Sequence, residues 1–216
     1  MLAFSDLREA TYCPRKLYYA RRADRTVPDE VEAVRELAHR YDEVLDGDCE
    51  DELATLAAPP PPVYREQLRC TAERCSRFDA LCEPADRDVL LTGRDCRGIA
   101  GKVLASPPEP SLVSPGKPPE NGVWEPHSVW AVAAAKALAW EHETPVERAF
   151  VEYPAHGVVR EIRLTTRRKA AYRLALRTVR SIDGPPPRLH DESKCSACEY
   201  REECGVRTRT LQSLLG

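Results

Sequence analysis

Residues 194–205 read KCSACEYREECG, and the cysteines at 195, 198 and 204 set the spacing C-x2-C-x5-C. A C-x2-C pair places two thiolates around one centre, and a third, five residues on, can fold back onto it. Four thiolates suit either zinc or an iron–sulfur cluster. The flanking Lys194, Glu199, Arg201, Glu202 and Glu203 are polar, unlike a buried apolar strand. A fourth ligand has to come from elsewhere. Cys13, in TYCPRKLYYARR, is the best candidate, because Pro14 fixes the chain beside it and adds no competing donor. Cys49, Cys70, Cys75, Cys82 and Cys96 lack such spacing and read as small core residues.

Composition bounds the answer. The 216 residues suffice for one sizeable domain. A net charge of −3 excludes a global basic field, so any nucleic-acid signal must be local. No apolar run approaches the roughly 18 residues of a membrane span. The opening MLAFSDLREATYC carries charges where a signal peptide is apolar, so a cytoplasmic protein with no membrane partner is expected. In that compartment nine cysteines point to metal rather than to disulfides.

The 19 prolines cluster at 58–63, 106–120 and 184–188, which read as loops or stiff linkers. Residues 5–20 predict a helix kinked at Pro14, and 29–46 predict a second helix with Val31, Val34, Leu37, Tyr41 and Val44 at helical spacing. VYREQLRC (63–70) reads as a strand and SRFDALC as a short helix. Residues 88–92, 99–105 and 111–114 read as strands, and 127–143 as an alanine-rich helix. A hairpin follows over 147–153 and 158–164. The helix after it is capped by Thr165 or Thr166 and ended by Gly184. This order predicts an α/β domain with a mixed sheet flanked by helices.

A lone cysteine in Y-C-P-R-K, paired with a C-terminal C-x2-C-x5-C, resembles the CRISPR-associated RecB-type exonucleases, the Cas-four family. The resemblance covers most of the chain, although its specific residues lie at the two ends. It implies a restriction-endonuclease-like PD-(D/E)xK core spanning 1–216. It also implies a four-iron four-sulfur cluster on Cys13, Cys195, Cys198 and Cys204, with 1–28 and 185–216 forming the cluster subdomain.

The family's cutting chemistry uses a helical His, an Asp in a G-[RK]-x-D strand, an E-x-K pair and a Gln-bearing helix. His39 stands at the His position. Leu104 stands where the Asp belongs, Leu112 for the Glu, Ser114 for the Lys, and Trp130 near the Gln. Leucine cannot coordinate a hard cation, so a non-cutting member with little to hold a divalent metal is expected. Asp95, in TGRD, is the best relocated acid for the rival reading of an active metal-dependent exonuclease. A zinc-binding structural module is the other rival.

Residues 160–180 hold eight basic side chains against one acid. Lys169, Arg173, Arg177 and Arg180 fall on one helix face, with Tyr172, Leu176 and Val179 on another. Arg15, Lys16, Arg21, Arg22 and Arg25 form a second basic cluster near Cys13. Such groups bind phosphate backbone by releasing counterions. With the resemblance to the Cas-four family, these clusters make DNA an expected partner, and the resemblance itself implies a protein partner in a CRISPR or repair complex. Tyr18 and Tyr19 read as core or cluster shielding rather than base platforms.

Overall fold

The computed structural model describes residues 1–23, 26–189 and 191–205. The expected basic residue Arg25 and the end of the cluster subdomain, 206–216, lie outside these. In chain order the elements are β1 (Leu2–Ala3), α1 (Phe4–Tyr12), α2 (Pro14–Ala20), α3 (Asp29–Glu36), a 3-10 turn (Leu37–His39), α4 (Tyr41–Asp46), α5 (Glu50–Leu56), α6 (Pro61–Arg74) and α7 (Phe78–Cys82). Then come β2 (Asp86–Thr92), β3 (Cys96–Leu104), β4 (Glu109–Val113), α8 (Glu125–Glu141), β5 (Arg148–Tyr153), β6 (Val158–Arg163), α9 (Thr166–Arg180) and α10 (Glu192–Ser196).

One mixed six-stranded sheet organises the chain in the order β1-β3-β4-β5-β6, with β2 also paired to β3. The β4–β5 pair is parallel. Parallel neighbours need a crossover, and α8 supplies it. α8 is apolar nearly all round, with Ala131, Val132, Ala133, Ala134, Ala135, Ala137 and Leu138 buried. A helix of that kind belongs inside, and its alanines let α1 and α9 lie close upon it. Gly98 of β3 leaves the space that the Phe4 ring fills.

Two cores flank the sheet. Phe4, Leu7, Val132, Leu138, Leu112, Val151, Tyr172 and Leu176 pack on the α1/α8/α9 side. Leu37, Tyr41, Leu53, Tyr64, Leu68, Phe78, Leu104 and Phe150 pack on the α4–α7 side. The result is the expected helix–sheet–helix layering.

Local expectations change at several points; α9, for one, stops at Arg180 with Ser181 as its C-cap and does not run on to Gly184. Residues 63–70 are helical, inside α6. The prolines at 61 and 62 open that helix, where a missing N–H costs nothing, and Tyr64 and Leu68 then recur at helical spacing in the core. The helix expected over 29–46 is broken by the 3-10 turn at 37–39. The 111–114 strand begins two residues earlier, at Glu109. Among the described residues no helix is long and apolar enough to cross a membrane.

Candidate metal centre and nucleic-acid interface

Pro14 excludes its predecessor from helical geometry. Cys13 accordingly takes an extended conformation, φ −162° and ψ 116°, and both ends α1 and starts α2. The break sets Cys13 at the junction of the two helices, where it is half-buried. At the other end of the chain, Asp191 caps α10 by accepting from the Lys194 N–H at 3.1 Å. Cys195 lies on α10, and Cys198 and Cys204 sit in the turns after it, their N–H groups donating to the carbonyls of Cys195 and Tyr200.

The fold brings all four cysteines to one small cavity of about 30 Å³, lined also by Tyr12, Arg15, Lys16 and Tyr19. Burial pushes the Cys195 thiol up, and so do the neighbouring Cys13, Cys204 and Cys198. Polar ties hold the ends together. The Tyr12 hydroxyl donates to the Lys194 carbonyl at 3.1 Å, and Lys194 Nζ donates back to the Tyr12 carbonyl at 3.4 Å. Lys16 lies 3.2 Å from Glu199, and the Tyr19 and Tyr200 rings stack 6.2 Å apart. Among the described residues, no three His, Cys, Asp or Glu side chains are close enough together to grip a single ion. The five other cysteines stand apart from this cavity. Cys96 is buried against the Tyr172 hydroxyl, and Cys70 and Cys75 line a separate cleft.

The two expected basic clusters differ. Arg15 Nη1 donates to the Pro186 carbonyl at 2.7 Å, and Nη2 donates to the Tyr19 hydroxyl at 3.2 Å. Burial opposes the Arg15 charge, but Cys204 and Tyr19 favour it. Lys16 is held by Glu9 at 3.0 Å as well as by Glu199. Both side chains, expected to meet nucleic acid, are engaged in joining the chain ends. On α9, by contrast, Lys169, Arg173, Arg177 and Arg180 are exposed while Tyr172, Leu176 and Val179 are buried. Arg180 pairs with Asp95 at 2.7 Å. Among the described residues, no carboxylate is within ion-pair reach of Lys169, Arg173 or Arg177.

The weak catalytic candidates are not brought together. Asp95 lies in the β2–β3 turn beside α9, bound to Arg180. His39 lies beside Lys102 on the opposite layer, where burial and then the Lys102 and Arg87 charges hold its imidazole below the usual range. Leu104 and Leu112 belong to different cores, on opposite faces of the sheet. They are therefore not two substituted positions of one centre. Ser114 is 3% exposed at the end of β4. Trp130 sits under the Arg8 guanidinium, 5.0 Å from the ring centre.

What occupies the middle of the sheet is an ion pair that the sequence reading missed. Lys102 Nζ donates to Glu152 Oε2 at 2.8 Å and to the Ala38 carbonyl at 2.5 Å. Ser111 Oγ donates to the other Glu152 oxygen at 2.6 Å. Both charged side chains are 0% exposed. A lone Lys in IAGKVLA and a lone Glu in AFVEYPA, each within an apolar strand, were the available signals.

A second titratable site lies at the start of α8. His127 Nδ1 and the Tyr153 hydroxyl are 2.8 Å apart. Burial and then the Arg8 charge lower the His127 pKa to about 4. The unfolded imidazole takes a proton below about pH 6.5, while the folded one waits until about 4. Between those values the unfolded state binds more protons, so stability falls as pH falls through this window. The expected loss reaches about 3 kcal/mol. Urea midpoints measured from pH 7 to 4 should decline less steeply in His127→Gln than in wild type.

No protein-family model matches the chain, and no curated protein matches its sequence.

Proposed function

We propose that this chain is a RecB-type, Cas-four-like iron–sulfur protein that binds nucleic acid without cutting it. The convergence of Cys13, Cys195, Cys198 and Cys204 on one cavity carries the reading. Four thiolates suit an iron–sulfur cluster or a zinc ion, and the resemblance of the two cysteine motifs to the Cas-four family favours the cluster. A bound cluster of this kind supplies electron transfer or a cross-link. Its place at the junction of the chain ends, among Tyr12–Lys194, Arg15–Pro186 and Lys16–Glu199 ties, favours the cross-link.

The non-cutting assignment rests on the sheet centre. A hard divalent cation needs oxygen ligands open to substrate. Glu152 is instead neutralised by Lys102 and sealed from solvent, and Asp95 is tied to Arg180.

Nucleic-acid contact rests on α9, whose Lys169, Arg173 and Arg177 form an unpaired cationic row. Each phosphate contact contributes about 0.9 to the slope of log affinity against log salt. Replacing these three residues by alanine is expected to lower that slope by about 3 in duplex DNA binding. Labelled DNA with manganese or magnesium should stay intact in wild-type protein. An unchanged slope removes the α9 assignment, and cleavage removes the non-cutting one.

A further inference from the structure

Beside the cysteine clasp, α1, the segment after β4 and the start of α8 enclose an open cavity of about 290 Å³. Its lining includes Arg8, Glu9, Lys16, Lys117, Trp124 and His127. The volume is at the small end of ligand clefts, which run from roughly 300 to 1,000 Å³. It suits one nucleotide-sized group and not a duplex. Trp124 is 49% exposed, yet its ring is fixed because Nε1 donates to the Lys117 carbonyl at 2.8 Å. A large aromatic face held in place and left open to solvent is a ready stacking platform.

The charge around it is cationic. Arg8, Lys16 and Lys117 face a single acid, Glu9, which pairs with Lys16 at 3.0 Å and Arg8 at 3.4 Å. Lys117 is exposed and has no ion-pair partner among the described residues. His127, which also lines the cavity, is anchored through Nδ1 to the Tyr153 hydroxyl at 2.8 Å. An anion with a flat aromatic part matches this combination better than a plain anion or an apolar molecule.

We propose that this cavity binds one nucleotide unit of single-stranded nucleic acid, with its base stacked on Trp124 and its phosphate met by Lys117 and Arg8. The inference deepens the nucleic-acid reading above but uses a different surface from α9. Base–aromatic stacking tolerates any base, so affinity for strands of different sequence is similar. An unpaired strand fits, because a base inside a duplex has both faces covered by its stacked neighbours.

Fluorescence anisotropy with a labelled oligothymidylate, a hairpin duplex of equal length and competing free thymidine monophosphate tests it. Trp124→Ala is expected to weaken oligothymidylate binding about 10- to 100-fold, and Trp124→Phe to keep most of it. Lys117→Ala should lower the salt slope by about 0.7, the single-strand value for one phosphate contact. Blunt duplex binding should be unaffected by either. Competition by the free nucleotide at the oligonucleotide's own affinity assigns the cavity to a free nucleotide and overturns the strand assignment. Unchanged oligothymidylate affinity in both Trp124→Ala and Lys117→Ala overturns the site itself. Loss in Trp124→Ala with none in the α9 triple variant leaves this cavity standing and removes the α9 reading alone.

Discussion

Lys102→Met alone is expected to destabilise the fold by about 3–5 kcal/mol, because it leaves the Glu152 carboxylate buried without its cation. Glu152→Leu alone should cost a similar amount, stranding the ammonium. The double variant should cost clearly less than either single one. Its two apolar side chains fill similar volume, while the Ser111 hydroxyl and the Ala38 carbonyl lose a partner and the Tyr41 ring loses the Lys102 ammonium 4.9 Å from its centre. Groups in direct contact give strong coupling in such a cycle. Denaturant midpoints of the four proteins measure it. Additive single losses would mean that Lys102 and Glu152 do not act as a pair.

Cys13→Ala carries the second large effect. The variant is expected to lose most of its iron and to be destabilised by more than the roughly 0.5–3 kcal/mol of an ordinary substitution. In the unfolded chain the four ligands are scattered, so the binding free energy of the group they hold adds to folding free energy. The Tyr12–Lys194 and Lys16–Glu199 contacts close over the same junction and should loosen with it. Limited proteolysis should then cut near 185–191 faster than in wild type. Cys70→Ala, away from the cavity, should keep its iron.

The sequence showed the layered α/β fold and most elements because their periods are strong. The alanine run of α8 and the two faces of α9 can be read residue by residue. It failed at VYREQLRC because Val63, Arg65 and Gln67 alternate as a strand would, while the proline pair before them marks a helix start. The four cysteines could be picked out by spacing and by the proline after Cys13. The separate fates of the basic residues could not. Arg15 and Lys169 look alike in sequence, and only the fold brings Pro186 to Arg15 and Glu199 to Lys16. Lys102 with Glu152, and Trp124 with Lys117 and Arg8, are juxtapositions made by strand order and by the crossover after β4. No local pattern encodes them.

Anaerobic purification with iron, acid-labile sulfide and zinc analysis decides whether the cysteine clasp of Cys13, Cys195, Cys198 and Cys204 holds an iron–sulfur cluster. A brown protein with about four iron and four sulfide per chain is expected, losing both in Cys13→Ala. A colourless protein carrying zinc, or iron content unchanged in Cys13→Ala, would contradict it.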